Sequence, residues 1–426
     1  MTQRPHLLIA SGVWPHVVAN REAANVISHE ITHELARSGA FRITYAFVGP
    51  EVAAIPAAAQ TEIEALRALG VEFLEPVIVP ATSAGARGPA KRLMCALRGR
   101  PERMLTGIDG GPALMRALGD RRPDAALTLW SETATNLVST LPVPRRFSYA
   151  GNPDHKVLDA RLDLAERLHG RSALASARNT IRRQITKSAH MRVVRRLDRM
   201  WNVAANDAAD YRAAGIKAVY LQNMWPAAVR QDWEAERDAR EQTAPVKIVG
   251  NVGNLFATGN SYGLLTLGCE ILPELKRLLG DGGFEIHLFG GGQPHPAVAP
   301  HLRDPHIRIR GFVEDLDAEM LSAPVFLVAN NSQKFKVGHT RFLHAWSLGA
   351  AVVGFGDSRE AMPEIEHGRN AMLGETPAEV AGLVADLARD AVLRRMIGRN
   401  GAAMLDTVFS PARVARVIAD DISSAL

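Results

Sequence analysis

Cysteine is almost absent from the chain. Cys95 and Cys269 are its only two, so no disulfide framework can be built and no zinc-type spacing exists. A reducing compartment is the expectation. Long apolar runs are missing too. No stretch approaches the ~20 residues that a transmembrane helix needs, and the apolar part of the opening MTQRPHLLIA is too short for a signal peptide. The expected location is therefore cytoplasmic. Aromatic residues are few, at 6%, and are not interleaved with the basic ones, which argues against a nucleic-acid partner. The glycine spacings of the dinucleotide fingerprint and of the P-loop are absent.

What is present is ordinary globular material. The 426 residues are 47% hydrophobic and 22% charged, enough for two or three domains with full cores. The net charge of +5 is modest, so the placement of the basic residues matters more than their sum. Short apolar runs alternate with helical patterns. His6–Ala10, Phe41–Val48, Val71–Val79, Ala125–Leu129 and Arg146–Tyr149 read as strands, with helices such as Arg21–Ser38 between them. A second series starts at Val246 and includes Val246–Val249, Glu285–Phe289, Ile307–Arg310, Val325–Ala329 and Ala351–Phe355, with a helix expected over Leu264–Leu279. This βαβ rhythm predicts two α/β, Rossmann-like, doubly wound domains. The expected division is an N-terminal domain over 1–228, a polar linker over 229–245, a C-terminal domain over 246–408 and a final helix over 409–426.

In such sheets ligands bind beyond the carboxyl ends of the strands. The triplet Gly290-Gly291-Gly292 stands there, either as a place where a ligand approaches the backbone or as a plain strand-to-loop turn. The stretch Lys334-Phe335-Lys336-Val337-Gly338-His339-Thr340-Arg341 opens a helix. Free N–H groups, the helix dipole and three cationic side chains suit a diphosphate, with a solvated basic helix start as the other reading. His344 lies three residues after Arg341, so both can face one side of that helix. In the N-terminal half, Asp154 or His155 of Gly151-Asn152-Pro153-Asp154-His155 can serve as a general base, or the segment is an ordinary turn. Trp130-Ser131-Glu132 and His16 also follow strands and are further candidates. Segment 161–200 holds ten Arg and one Lys against Asp163, Glu166 and Asp198. Together with Arg87, Lys91, Arg92, Arg98, Arg100 and Arg103 it either docks on anionic lipid headgroups or forms solvated helix faces.

The residues from Lys247 to about Phe409 resemble the C-terminal domain of family-4-type GT-B glycosyltransferases (glycosyl transferases group 1). The landmarks are EIHLFGGG, IRIRGFVEDL, FLVANNS, LHAWSLGAAVVGF, MPEIEHGRNAML and FSPARVARVI, in that order; NVAANDAADYRAAGIKAVYLQNMWP is similar to the family's last N-domain segment. The resemblance implies a GT-B architecture, two Rossmann-like domains facing a cleft. It implies an enzyme that moves a sugar, with retention, from a nucleotide diphosphate donor to a glycan or lipid-carrier acceptor, as in polysaccharide biosynthesis. The nucleotide sugar is then substrate rather than cofactor. No metal is expected, and the location is the cytoplasm or the inner face of the cell membrane. By position in the family, Gly290–Gly292 lie near the donor, Phe312 and Val313 near the base, Gly338, Thr340 and Arg341 at the phosphates, and Glu364 in the late acidic segment. The chain departs from the family at three places. The two carboxylates of the family's Glu-x7-Glu motif fall on Lys336 and His344. The basic pair after the first strand of this domain falls on GNVGNLFATGNSYG, where Asn251 and Asn260 are the nearest equivalents. The glycine pair of the first N-domain loop is replaced by Ala19-Asn20. Lys334, Lys336 and Arg341 are placed to compensate for the missing basic pair. Two competing readings are a non-catalytic GT-B-like binding or scaffold protein and a sugar-nucleotide epimerase.

Overall fold

The computed structural model describes residues 4–17, 23–49, 55, 57–79, 110–170, 172–226, 232–330 and 339–426. They form two compact units. The first comprises 1–158, 171–222 and 411–426, and the second 159–170 and 223–410. The basic cluster from Arg87 to Arg103, Ala19-Asn20 and Cys95 lie outside the described residues.

The first unit is built on a parallel sheet of eight described strands: β1 (His6–Ser11), β2 (Arg42–Gly49), β3 (Glu72–Phe73), β4 (Val77–Ile78), β5 (Ala125–Leu129), β6 (Arg145–Ala150), β7 (Arg199–Asn202) and β8 (Ala218–Tyr220). Their order is β3-β2-β1-β5-β6-β7-β8, with β4 also on β2. The expected strand Val71–Val79 is two short strands, since Pro76 has no N–H to give to the ladder. Leu8, Ala10, Ala46, Val48 and Ala126 meet Leu114, Leu118 and Leu137 in the core. The last helix, Pro411–Ala425, buries Val414, Ile418 and Ile422 in this unit. The indole N–H of Trp201 donates to its Asp421 at 3.0 Å.

The second unit carries β9 (Val246–Val252), β10 (Phe284–Phe289), β11 (Ile307–Gly311), β12 (Val325–Val328), β13 (Ala351–Phe355) and β14 (Met372–Gly374). All are parallel, in the order β11-β10-β9-β12-β13-β14. Their buried runs carry side chains on both faces, as a sheet covered by helices requires; Ile248, Leu288, Leu327 and Val353 share one cluster with Leu264, Leu267 and Val384. The expected helix Leu264–Leu279 is three pieces: Thr258–Thr266, a π turn over Leu267–Ile271, and Leu272–Leu279. The ladder changes register where Pro273 offers no N–H. Segment 229–245, expected as a linker, contains the helix Trp233–Arg240 of the second unit. There the guanidinium of buried Arg237 donates to the carbonyls of Ala323 at 2.7 Å and Leu348 at 2.8 Å.

Candidate active site

In the second unit the connections leave β9 toward β10 and β11 on one side, while β12 and β13 lie on the other. The carboxyl ends of β9 and β12 therefore flank the topological switch point, where open α/β sheets bind ligands. Three asparagines and an arginine meet there. The side-chain oxygen of Asn260 accepts from the guanidinium of Arg341 and from the amide of Asn330 at 3.2 Å. Its own amide donates to the carbonyl of Asn254 at 2.6 Å. Both capacities of the side chain are thus spent on holding this corner. Arg341 sits on the helix His339–Trp346 and is partly buried. Burial lowers its guanidinium to about 10, and among the described residues no carboxylate stands against it. A cation in that position is stabilised by an arriving anion.

The glycine triplet follows β10. At Gly290 φ is +131°, and an added Cβ would lie 2.0 Å from the carbonyl oxygen of Gly253. The loops after β9 and β10 are therefore in backbone contact: Gly253 N–H donates to Phe289 at 3.1 Å and Leu255 N–H to Gly291 at 3.1 Å. The glycine at 290 serves that close approach. Gly291 and Gly292 are exposed, and nothing lies within 4 Å of a Cβ built on Gly291. Gly290 N–H donates to Gly311 at 2.9 Å, which sets the triplet beside Phe312, itself 70% exposed. Val313 is half-buried.

The remaining residues of this unit separate. Lys334, Lys336 and Gly338 lie outside the described residues. Thr340 is half-buried beside Arg341. His344 is buried, with Nε2 3.1 Å from Asp317 Oδ1 and its ring 5.4 Å from that of Trp225. That ring is engaged on both its edge and its face. Glu364 is half-buried; its carbonyl accepts from the amide of Asn370 at 2.9 Å. Asn251, one of the nearest equivalents of the family's basic pair, donates to the carbonyls of Gly253 and Phe289 and so ties the same loop.

In the first unit the switch point lies between β1 and β5. Trp130 follows β5 with φ +46°, in the left-handed region, and its ring lies against Gly151, where a Cβ would be 3.2 Å away. Ser131 caps the helix Glu132–Val138, accepting from Ala134 N–H at 3.1 Å. Glu132 then reaches across to two later segments. Its carboxylate accepts from the N–H of Asp154 at 2.8 Å and lies 2.8 Å from His190 Nδ1. His190 Nε2 is 2.6 Å from the hydroxyl of Tyr211. Burial alone would raise the Glu132 carboxyl, but the charge and hydrogen bond of His190 outweigh it and hold it at about 2. Burial opposes the charged form of His190 as well, yet Glu132 pushes its pKa upward.

Asp154 and His155 open the helix Asp154–His169. His155 is buried and its ring lies 4.8 Å from that of His190. Burial, followed by the charge of His190, drops it to about 3, so it stays neutral at pH 7. Lys156 pairs with Asp207 and Asp210. His16 is buried, with Nε2 3.1 Å from the amide nitrogen of Asn25. Two relations escaped the sequence reading. The Asn260–Arg341 pair spans 81 positions and the Glu132–His190 pair joins distant helices; the only local signal was that Asn330 and Glu132 each stand just beyond a strand. Among the described residues no group of three or more His, Cys, Asp or Glu is placed to hold a metal ion.

The family described as "Glycosyl transferases group 1" matches residues 246–390. No curated protein sequence matches the chain. Among solved structures, the chain is similar to HepE of Anabaena in complex with UDP, at 13% identity over 98% of this chain and 100% of that one, with a TM-score of 0.59. Sucrose-phosphate synthase from Thermosynechococcus elongatus is similar at 11% identity over 98% of both chains, TM-score 0.61. WaaG, a glycosyltransferase involved in lipopolysaccharide biosynthesis, is similar at 12% identity over 97% of this chain and 99% of that one, TM-score 0.57. At these identities the likeness is one of fold. The chain therefore has the GT-B fold of two parallel-sheet α/β domains, and its residues 246–390 match the glycosyl transferases group 1 family.

Proposed function

We propose that the protein transfers a sugar from a nucleoside diphosphate donor, held by the second unit, to a hydroxyl of a glycan or lipid-linked acceptor. One observation carries the reading: Arg341, partly buried at the switch point, is pinned by Asn260 and meets no carboxylate among the described residues. In the reaction the bond between the anomeric carbon and the phosphate oxygen breaks, and its electron pair leaves on the diphosphate. A new bond forms to the acceptor oxygen, whose proton is released. Charge develops on the leaving diphosphate, and a preorganised cation there lowers the barrier. Arg341 supplies that charge, so turnover is expected to persist in EDTA. The exposed Phe312 beside the glycine triplet offers a flat apolar face for a base. In the first unit Asp154 suits a hydroxyl proton better than His155, whose low pKa makes it a poor acceptor. The family likeness supports retention at the anomeric carbon, which NMR of the product anomer reads directly. The match to the group 1 family and the fold shared with HepE support the reading.

A second reading has its own observation. The positions of the family's two carboxylates carry Lys336 and His344, and His344 is engaged with Asp317. A protein that binds a sugar nucleotide without transferring it fits that exchange. Calorimetric titration with UDP, GDP and ADP and their sugars tests binding. Donor consumption, with and without acceptor glycans, tests transfer. Failure of every nucleotide to bind would remove both readings. Binding without turnover under any acceptor leaves the second, and a donor whose sugar is interconverted without acceptor indicates an epimerase.

A further inference from the structure

The helix Ala173–Val194 of the first unit runs 22 residues without one aspartate or glutamate, while carrying Arg178, Arg182, Arg183, Lys187 and Arg192. Ser172 starts it, accepting from Ala175 N–H at 3.2 Å. Its inner side is set by buried Asn179, Ala189, His190, Met191 and Val194. Its outer side is unusual in what it shows to water. Leu174 is 85% exposed and Ile181 61% exposed. At 3.6 residues per turn, the step of seven residues from Leu174 to Ile181 returns to the same stripe. Arg178 lies between the two on that side and Arg192 continues the line; both are exposed. The helix thus buries its polar Asn179 and turns Leu174 and Ile181 outward.

A soluble helix face normally mixes both signs of charge. A single exposed leucine needs no explanation. Two large aliphatic side chains on one stripe, framed by arginines and free of carboxylates, match a surface that is negative at its rim and apolar just beneath it. We infer that this helix lies on a membrane surface rich in anionic lipid, with Leu174 and Ile181 dipping below the headgroups and Arg178 and Arg192 contacting their phosphates. Arginine stems extend along apolar surface while the guanidinium stays at the polar rim, so both contacts form together. Nucleic acid fits less well, because the stripe offers aliphatic side chains and no aromatic ring for bases to stack on. The inference does not depend on the donor chemistry of the second unit.

The test is co-sedimentation of the full chain with vesicles of phosphatidylcholine alone and of phosphatidylcholine with phosphatidylglycerol, at low and high salt. Binding is expected only to the anionic vesicles and should weaken as salt screens the headgroups. Leu174→Asp/Ile181→Asp and, separately, Arg178→Glu/Arg192→Glu should each reduce it at least tenfold, with the circular dichroism spectrum and nucleotide affinity unchanged. Arg178→Lys/Arg192→Lys should retain it. Equal binding to neutral vesicles, no binding to anionic ones, full binding by both double variants, or preference for an oligonucleotide over vesicles in direct competition would each overturn the inference.

Discussion

Asn260 holds Arg341 from 81 positions away. Its side-chain oxygen takes the guanidinium and the Asn330 amide together, and its own amide is spent on Asn254. A neutral residue thereby orients the cation.

That arrangement predicts a coupled pair. Arg341→Ala should weaken nucleoside diphosphate binding by roughly 10- to 100-fold, the scale of a hydrogen bond to a charged group. Asn260→Ala should weaken it less. The double variant should lose less than the sum, because the two side chains act as a unit. Calorimetric titrations of the four proteins check this; additive losses would mean that Asn260 does not position Arg341.

The glycine triplet is predicted to be unequal. Gly290→Ala places a methyl group 2.0 Å from the Gly253 carbonyl at φ +131°, so it should destabilise the second unit by about 3 kcal/mol or more, as strained left-handed positions with a clash do. Gly291→Ala meets nothing within 4 Å and should leave the melting temperature unchanged. Thermal unfolding of the two variants decides it.

The Glu132–His190 pair should contribute measurably to the stability of the first unit. Glu132→Gln removes the carboxylate that faces the buried His190 ring and should cost about 3 kcal/mol, the low end for a buried pair, since the Glu132 side chain keeps 25% of its exposure. The pH dependence follows from the shifts. Glu132 is lowered to about 2, so its contribution is complete above its ordinary 4.5 and is lost as pH falls toward 2. His190 is raised, so its contribution is complete below its ordinary 6.5 and is lost as pH rises through its folded value. Denaturant melts of wild type and Glu132→Gln at several pH values should show the gap narrowing at both ends.

His155 works in the opposite sense to His190. It is lowered to about 3, so the unfolded chain takes up a proton below pH 6.5 while the folded one does not, and stability falls from 6.5 toward 3. His155→Gln should flatten that acid limb, with a melting temperature that gains on wild type as pH drops from 7 to 5. The same shift means that no inflection of activity near pH 6.5 should belong to His155.

Much of the architecture was legible because it is local. Alternating apolar strands and amphipathic helices announce a parallel sheet twice over. The limits of that legibility are local as well. Pro76 splits one expected strand and Pro273 interrupts one expected helix, since each removes a single N–H that periodicity does not weigh. For the candidate site, position beyond a strand was readable and partnership was not. Nothing in the spacing of His344 marks Asp317 as its neighbour, nor does that of Glu132 mark His190.

The sequence by itself determined that this chain folds as two doubly wound α/β units, and it determined which loops stand at the strand ends, because hydrophobic periodicity acts over a few residues. Only the tertiary structure decided that the last helix, Pro411–Ala425, returns to the first unit and that 159–170 belong to the second. It alone decided which asparagine orients Arg341, and which side of Ala173–Val194 faces outward. Those outcomes depend on strand order and on which buried polar groups find partners across the sheet, and such pairings are satisfied between segments that lie tens to hundreds of residues apart.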